Sequence, residues 1–141
     1  RTERDLANLA MPGGRIRLCK GAFREPRTVA FRNRHEVDLA FVRGLRILMK
    51  SQAVPLVATH DPRLIAIAEE LVRRSGRAPD SYEFQMLYGV RPLELRRLVD
   101  IGHVARSYVP YGPGWYEYYL RGFVERPDNL ALFMRSLLGK R

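Results

Sequence analysis

The chain has 141 residues, 46% hydrophobic and 28% charged, an ordinary balance for one globular unit. Its formal net charge is +10, yet of the 25 basic residues only Lys20, Lys50 and Lys140 are lysine, and the arginines are spread over every segment. That spread argues for a solvated, arginine-rich surface and against nucleic acid, whose readers cluster cations among stacking aromatics. No apolar run reaches the roughly 18 residues of a membrane span, and the single Cys19 excludes an internal disulfide, gives no metal-ligand cluster and points to a reducing cytoplasm.

The opening "RTERDLANLAMPGG" reads as the tail of a helix and a loop, so a C-terminal fragment of something longer is expected. A strand is predicted over "RIRLCKG" (15–21), and a helix over "EVDLAFVRGLRILMKS" (36–51), where Val37, Phe41, Leu45 and Leu48 keep the helical period. A second strand follows in "VPLVATH" (54–60). The next helix, "PRLIAIAEELVRRSG" (62–76), has Asp61 and Pro62 suited to its N-cap and first turn and Gly76 suited to its end. "SYEFQML" (81–87) is the third strand, "PLELRRLVDIG" (92–102) a helix and "VARSYVP" (104–110) the fourth strand. A long final helix is predicted over 115–139, broken near Pro127.

This βα rhythm implies a parallel sheet with helices outside. Either half of an eightfold barrel or an open doubly wound sheet is compatible with the length, since a complete barrel needs about 250 residues. Strand parity favours the barrel. Tyr82, Phe84 and Met86 share one face of the third strand and Glu83 and Gln85 the other; Arg106 and Tyr108 share a face of the fourth, and Arg17, Cys19 and Gly21 a face of the first. A polar-lined parallel interior suits a barrel holding a large polar ligand.

Each strand runs out into residues that suit a site at its C-terminal edge, the edge where ligands bind in such folds. "KGA" (20–22) has a glycine that admits a ligand close to the backbone. "ATHD" (58–61) offers a hydroxyl and an imidazole before a helix N-terminus, a place that favours phosphate. "EFQMLYGVR" (83–91) adds an amide, "YVPYG" (108–112) two tyrosines, and Arg121 follows. Taken singly, "THD" is an ordinary helix cap and "KGA" a plain turn. Cys19 reads as a small core residue and Arg96-Arg97 as solvated surface.

Together, "RLCKGA", "ATHD", "EFQMLYGVR", "YVPYG" and "WYEYYLRGFVERPDNL", in this order from about Arg15 to Leu138, resemble the proline dehydrogenase family of flavoenzymes. The resemblance implies the α/β fold of that family: the C-terminal half, about four βα units plus a final helix, of a distorted (β/α)8 TIM-type barrel. Residues 1–141 would then be part of a single catalytic domain, with the N-terminal half of the barrel, which carries a lysine and an aspartate of the active site, absent. It implies FAD as cofactor and oxidation of L-proline to 1-pyrroline-5-carboxylate by hydride transfer to flavin N5, as in a bacterial-type single-function enzyme. Arg17 matches the family's active-site arginine; Lys20, Gly21 and Ala22 match its flavin-binding segment, and Thr59 and His60 a pair that contacts the cofactor. Tyr108 matches a tyrosine beside the bound proline. Arg121 matches the first of two arginines that hold the substrate carboxylate, and Glu125 an acidic residue that organises the same helix. No metal is implied.

The implied partners are L-proline and a quinone or another electron acceptor, in a cytoplasmic protein or one peripheral to the inner membrane face. The charges of "RIRLCKGA" would be paired by the cofactor and by lumen carboxylates such as Glu83. Gly122 stands where the family has its second arginine, which puts substrate affinity in question. The fragment alone is expected to be inactive. The alternative is a non-catalytic barrel remnant that serves as a binding or interaction module.

Overall fold

The computed structural model describes residues 2–21, 25–114 and 117. Strands β1 (Arg15–Cys19), β2 (Val54–Ala58), β3 (Glu83–Leu87) and β4 (Ala105–Tyr108) form one sheet in sequence order, every pairing parallel. Helix α1 (Thr2–Leu9) precedes the sheet, and α2 (Arg34–Lys50), α3 (Pro62–Ser75) and α4 (Pro92–Asp100) connect its strands. Parallel neighbours need such crossovers, because the chain must return to the same end of the sheet before each new strand.

Register assigns the two faces. Arg17 pairs with Leu56, Leu56 with Glu83, Ala58 with Gln85, Gln85 with Arg106 and Leu87 with Tyr108, and paired residues of neighbouring strands point to the same side. On the opposite side Leu18, Val57, Phe84 and Met86 pack against Leu45 and Leu48 of α2, Ile65 and Ala68 of α3 and Leu98 of α4. Each of these larger side chains, Ala68 aside, contributes about 1.5–3 kcal/mol by leaving water. Phe84, 1% exposed, is the keystone of that core; truncation to alanine costs about 3–5 kcal/mol. Gly44 lets α2 lie close to its neighbours, since a Cβ there would meet Leu6 Cδ1 at 3.0 Å and Leu18 Cδ1 at 3.5 Å.

The element boundaries have local causes. Asn33 Oδ1 accepts the His35 N–H at 2.8 Å, so α2 begins two residues before the expected start. Asp61 caps α3 through the Arg63 N–H and Gly76 ends it in the left-handed conformation, φ 63°, as the sequence indicates. The strands are shorter than expected. Residues 79–81 form a 3-10 turn, with Ser81 Oγ donating to the Ala78 carbonyl, so β3 starts at Glu83. Thr59 Oγ1 accepts the Asp61 N–H at 3.2 Å and turns the chain away after Ala58. Arg77 closes the C-terminal end of α2 by donating to the carbonyls of Leu48, Met49 and Ser51, and also to that of Ser81.

One expectation is corrected. Cys19 is not a core residue: it is exposed, because its register with Ala58 places it on the polar face. The final helix expected over 115–139 lies outside the described residues, Glu117 excepted. Three of the four adjacent arginines at 73–74 and 96–97 meet carboxylates. Arg73 and Arg74 share Glu70, and Arg97 is held by Glu69 and Glu94.

Candidate active site

The polar face is concave. Neighbouring strands lie about 4.8 Å apart, so β1 and β4 would be about 14 Å apart in a flat sheet. Yet the Arg17 guanidinium of β1 sits over the Tyr108 ring of β4 at 4.3 Å. Arg15 of β1 also reaches Glu83 of β3 at 3.1 Å. The contact between Arg17 and Tyr108, on the outer strands of the sheet, fits a sheet curled with its polar face inside, as in a barrel wall, and the Arg15–Glu83 pair lies on the same face.

At the floor of this face lies Glu83, 2% exposed. Its Oε1 accepts from Arg106 Nε at 3.0 Å and Gln85 Nε2 at 2.7 Å; its Oε2 accepts from Arg106 Nη2 and Arg15 Nη2, each at 3.1 Å. Burial pushes this carboxyl up, but the hydrogen bonds from Arg106 and Gln85 and the charges of Arg106 and Arg15 outweigh it and hold the group below its usual range. The carboxylate is therefore ionised and ties β1, β3 and β4 together from inside, as the sequence reading expected of a lumen carboxylate.

At the C-terminal edge of the sheet the structure brings Arg17, His60 and Tyr108 into one neighbourhood. His60 Nε2 accepts the Leu87 N–H at 2.8 Å, which places the imidazole proton on Nδ1. Burial, together with the charges of Arg91 and Arg17, lowers its pKa to about 4, so the ring is neutral at pH 7. Thr59 is buried and spends its hydroxyl on the Asp61 N–H. A Cβ on Gly21 would meet no described atom within 4 Å, so the packing of the described residues does not call for glycine there.

Lys20 stands apart from this group. It follows the last residue of β1 on the helix side, where its ammonium lies 2.5 Å from Asp38 of α2 and 3.3 Å from Asp61. Asp61, against the upward push of burial, is lowered to about 2 by hydrogen bonds from Arg63 and Lys20. Ala22, Arg121, Gly122 and Glu125 lie outside the described residues.

Sequence reasoning missed Arg91. It is a non-glycine residue with φ 54°, ahead of Pro92, and it donates to the His60 carbonyl at 3.3 Å. A strained backbone of this kind is set by tertiary packing and has no sequence signal. Asp38 was also missed as a partner of Lys20, because α2 and the end of β1 meet only in the fold. Among the described residues no group of three His, Cys, Asp or Glu side chains could hold a metal ion. The arrangement offers fixed cations, a neutral imidazole donor and an open concave surface. It is built for holding a polar, partly anionic ligand, and proton transfer has little machinery here.

The family described as proline dehydrogenase matches residues 5–121. Proline dehydrogenase 2 of Bacillus subtilis (strain 168) is 37% identical over 140 residues, which cover 99% of this chain and 46% of that protein. Proline dehydrogenase 1 of the same strain is 39% identical over 125 residues, covering 89% and 41%. The proline dehydrogenase of Deinococcus radiodurans is 39% identical over 123 residues, covering 87% and 40%. Among solved structures, proline utilization A from Bdellovibrio bacteriovorus, inactivated by N-propargylglycine, superposes with a TM-score of 0.74 at 25% identity, over 85% of this chain and 15% of that one. The four parallel strands and their outer helices are thus part of a (β/α)8-type barrel. The chain spans less than half the length of these curated relatives.

Proposed function

The chain belongs to the proline dehydrogenase family, and from that premise we propose that it is the C-terminal part of an FAD-dependent enzyme that oxidises L-proline to 1-pyrroline-5-carboxylate. The observation that carries this reading is the concave edge itself. Arg17, His60 and Tyr108, which come from three separate motifs of the resemblance, converge there. The greater length of the relatives supports the view that the remaining barrel strands come from residues outside this chain.

The residues fit a flavin. A Gly21 whose Cβ would meet no described atom, a guanidinium held by an aromatic ring and a part-buried neutral imidazole suit a large, polar, partly anionic cofactor. FAD, when bound, supplies the hydride acceptor that no side chain of the protein can provide. The chain's own residues bind and orient. Arg17 carries a permanent charge in a fixed place and so favours negative charge that builds up next to it. His60, with its proton on Nδ1, is a donor that stays neutral through the physiological range. Thr59 shapes the turn that presents His60. Lys20, Gly21 and Ala22 serve through the course of the chain after β1, with the Lys20 ammonium anchoring that segment to Asp38 and Asp61.

Oxidation turns the ring C–N bond into C=N, with loss of a hydride and of the nitrogen-bound proton. Arg121 would hold the carboxylate, through the fork that lysine lacks. Electrons then leave to a quinone or another acceptor. No helix among the described residues is long and apolar enough to cross a membrane, and we place the enzyme in the cytoplasm or against the inner membrane face.

The test is direct. The complete protein, purified from its whole coding region, is expected to be yellow, with flavin absorption bleached by L-proline. A colourless preparation without proline-dependent reduction of an acceptor overturns the reading. It would leave the second one, a non-catalytic barrel used for binding, which Gly122 in place of the family's arginine favours.

A further inference from the structure

Gln85 lies in the middle of the concave face, in register with Ala58 on one side and Arg106 on the other. Its side-chain amide could in principle sit either way round. Glu83 decides. An ionised carboxylate has only acceptors, so the amide edge that meets Glu83 Oε1 at 2.7 Å must be the NH2 edge. The reverse orientation would press two oxygens together. Nor can Glu83 turn to suit the amide, because Arg106 clamps both its oxygens and Arg15 takes Oε2 from the other flank.

The consequence falls on the other end of Gln85. Its carbonyl Oε1 is turned away from Glu83, and no hydrogen bond to it is found among the described residues. The charged side chains sharing the face, Arg15, Arg17 and Arg106, are donors only, and Leu56 and Ala58 between them are apolar. A half-buried carbonyl oxygen held in one orientation on a donor-rich face is a built acceptor.

We propose that Gln85 is a further ligand-contacting residue whose carbonyl oxygen accepts a hydrogen bond from an N–H of the bound ligand, and that Glu83 is the positioning residue that orients it. This rests on the proline and FAD reading, which brings two such groups to the site: the amine of proline and the imide N–H of the flavin ring. The chemistry is the same for both, and experiment separates them.

The complete enzyme carrying Gln85→Met, which keeps the shape and loses the acceptor, is compared with wild type in three measurements. These are the Kd of the apoprotein for FAD, the KM for L-proline, and the Ki of tetrahydrofuran-2-carboxylate, in which a ring oxygen replaces the N–H. If the amine is the partner, KM for proline rises about tenfold while the Ki of the oxygen analogue and the Kd for FAD stay put. If the flavin imide is the partner, the Kd for FAD rises about fivefold, and proline and its analogue shift together. In either case Glu83→Gln, which frees the amide to turn over, moves the same quantity in the same direction by less. Gln85→Leu repeats the test should the methionine variant fold poorly. The proposal is overturned if the Kd for FAD and the ratio of proline KM to analogue Ki both stay within twofold of wild type. A wild-type protein that neither binds FAD nor oxidises proline overturns the functional reading, and with it this one. That failure shows before any variant is made.

Discussion

The Arg17 guanidinium carbon sits over the Tyr108 ring, 4.3 Å from its centre, although the two residues belong to the first and last strands of the sheet. The contact spans the concave face and fixes a cation beside the last residue of β4. A cation–π contact of this kind contributes about 0.5–2 kcal/mol, more as water is excluded. Tyr108→Phe keeps the ring, and with it the contact to Arg17, and is expected to leave the rate of proline-dependent flavin reduction within about threefold. Arg17→Met removes the charge and is expected to slow that rate at least about tenfold, the equivalent of 1.4 kcal/mol, and to lower the flavin midpoint potential. Stopped-flow absorbance and a dye-coupled potential titration read both. An unchanged potential in Arg17→Met would place the cation away from the flavin.

His60 gives the protein an acid sensitivity of defined sign. Its folded pKa is about 4 against 6.5 for an ordinary histidine, so the unfolded chain takes up the proton first as pH falls. Stability from this group is complete above about pH 6.5 and declines as pH drops towards 4, by about 3 kcal/mol in all. Glu83 and Asp61, held below their usual range, lose their contributions only below about pH 4.5 and so fall outside most of this window. Urea midpoints at pH 7.5, 6.0 and 5.0 should fall in that order for wild type. His60→Gln, which can still accept from the Leu87 N–H, should flatten the trend; an undiminished slope would assign it to another group.

Arg77 is a structural residue. Its guanidinium adds donors to the carbonyls of Leu48, Met49 and Ser51 at the end of α2, where intrahelical donors run out. Arg77→Ala is expected to cost about 2 kcal/mol, since charged hydrogen bonds to buried carbonyls are lost together. The melting temperature should drop by several degrees with no change in KM. A KM effect would mean that the loop it holds reaches the active site.

Residues 1–141 alone present the outer edges of β1 and β4, which no described strand pairs. Unpaired parallel edges invite association. The isolated chain is therefore expected to self-associate, and neither to bind FAD tightly nor to oxidise proline. Size-exclusion chromatography with flavin absorbance is sufficient to check this. A monomeric, yellow, active preparation would refute it.

Gly122 invites a gain-of-function test. Glycine in a helix interior is disfavoured by about 1 kcal/mol relative to alanine, so the expected final helix does not itself ask for it. The resemblance to the family implies an arginine at this position, beside Arg121. A charged hydrogen bond contributes about 1.5–3 kcal/mol, or roughly 10- to 150-fold in binding. In the complete enzyme Gly122→Arg is expected to raise kcat/KM for L-proline at least about tenfold. No gain would mean that another basic group already holds the carboxylate, or that proline is not the substrate.

How much of this was written in the sequence differs from residue to residue, for physical reasons. The alternation of Phe84 and Met86 with Glu83 and Gln85 is local, since a strand turns successive side chains to opposite faces; the polar face could therefore be read before any coordinates. Asp61 and Gly76 were legible as caps for the same reason, because a helix end needs its partners within a few residues. Cys19 was misjudged because its type favours burial, whereas register with Ala58 decides its face. Lys20 was legible as a charge at the strand end but not as a tie to Asp38 and Asp61, which approach it from other elements. The neutral state of His60, the left-handed backbone of Arg91, the clamp on Glu83 and the reach of Arg17 to Tyr108 all depend on curvature and on groups 20 to 90 residues apart. Sequence pattern sets which face a side chain takes, because that follows from bonded geometry. Which partner it meets there was decided only by the way the sheet curls and the helices pack, because long-range contacts are a property of the whole fold.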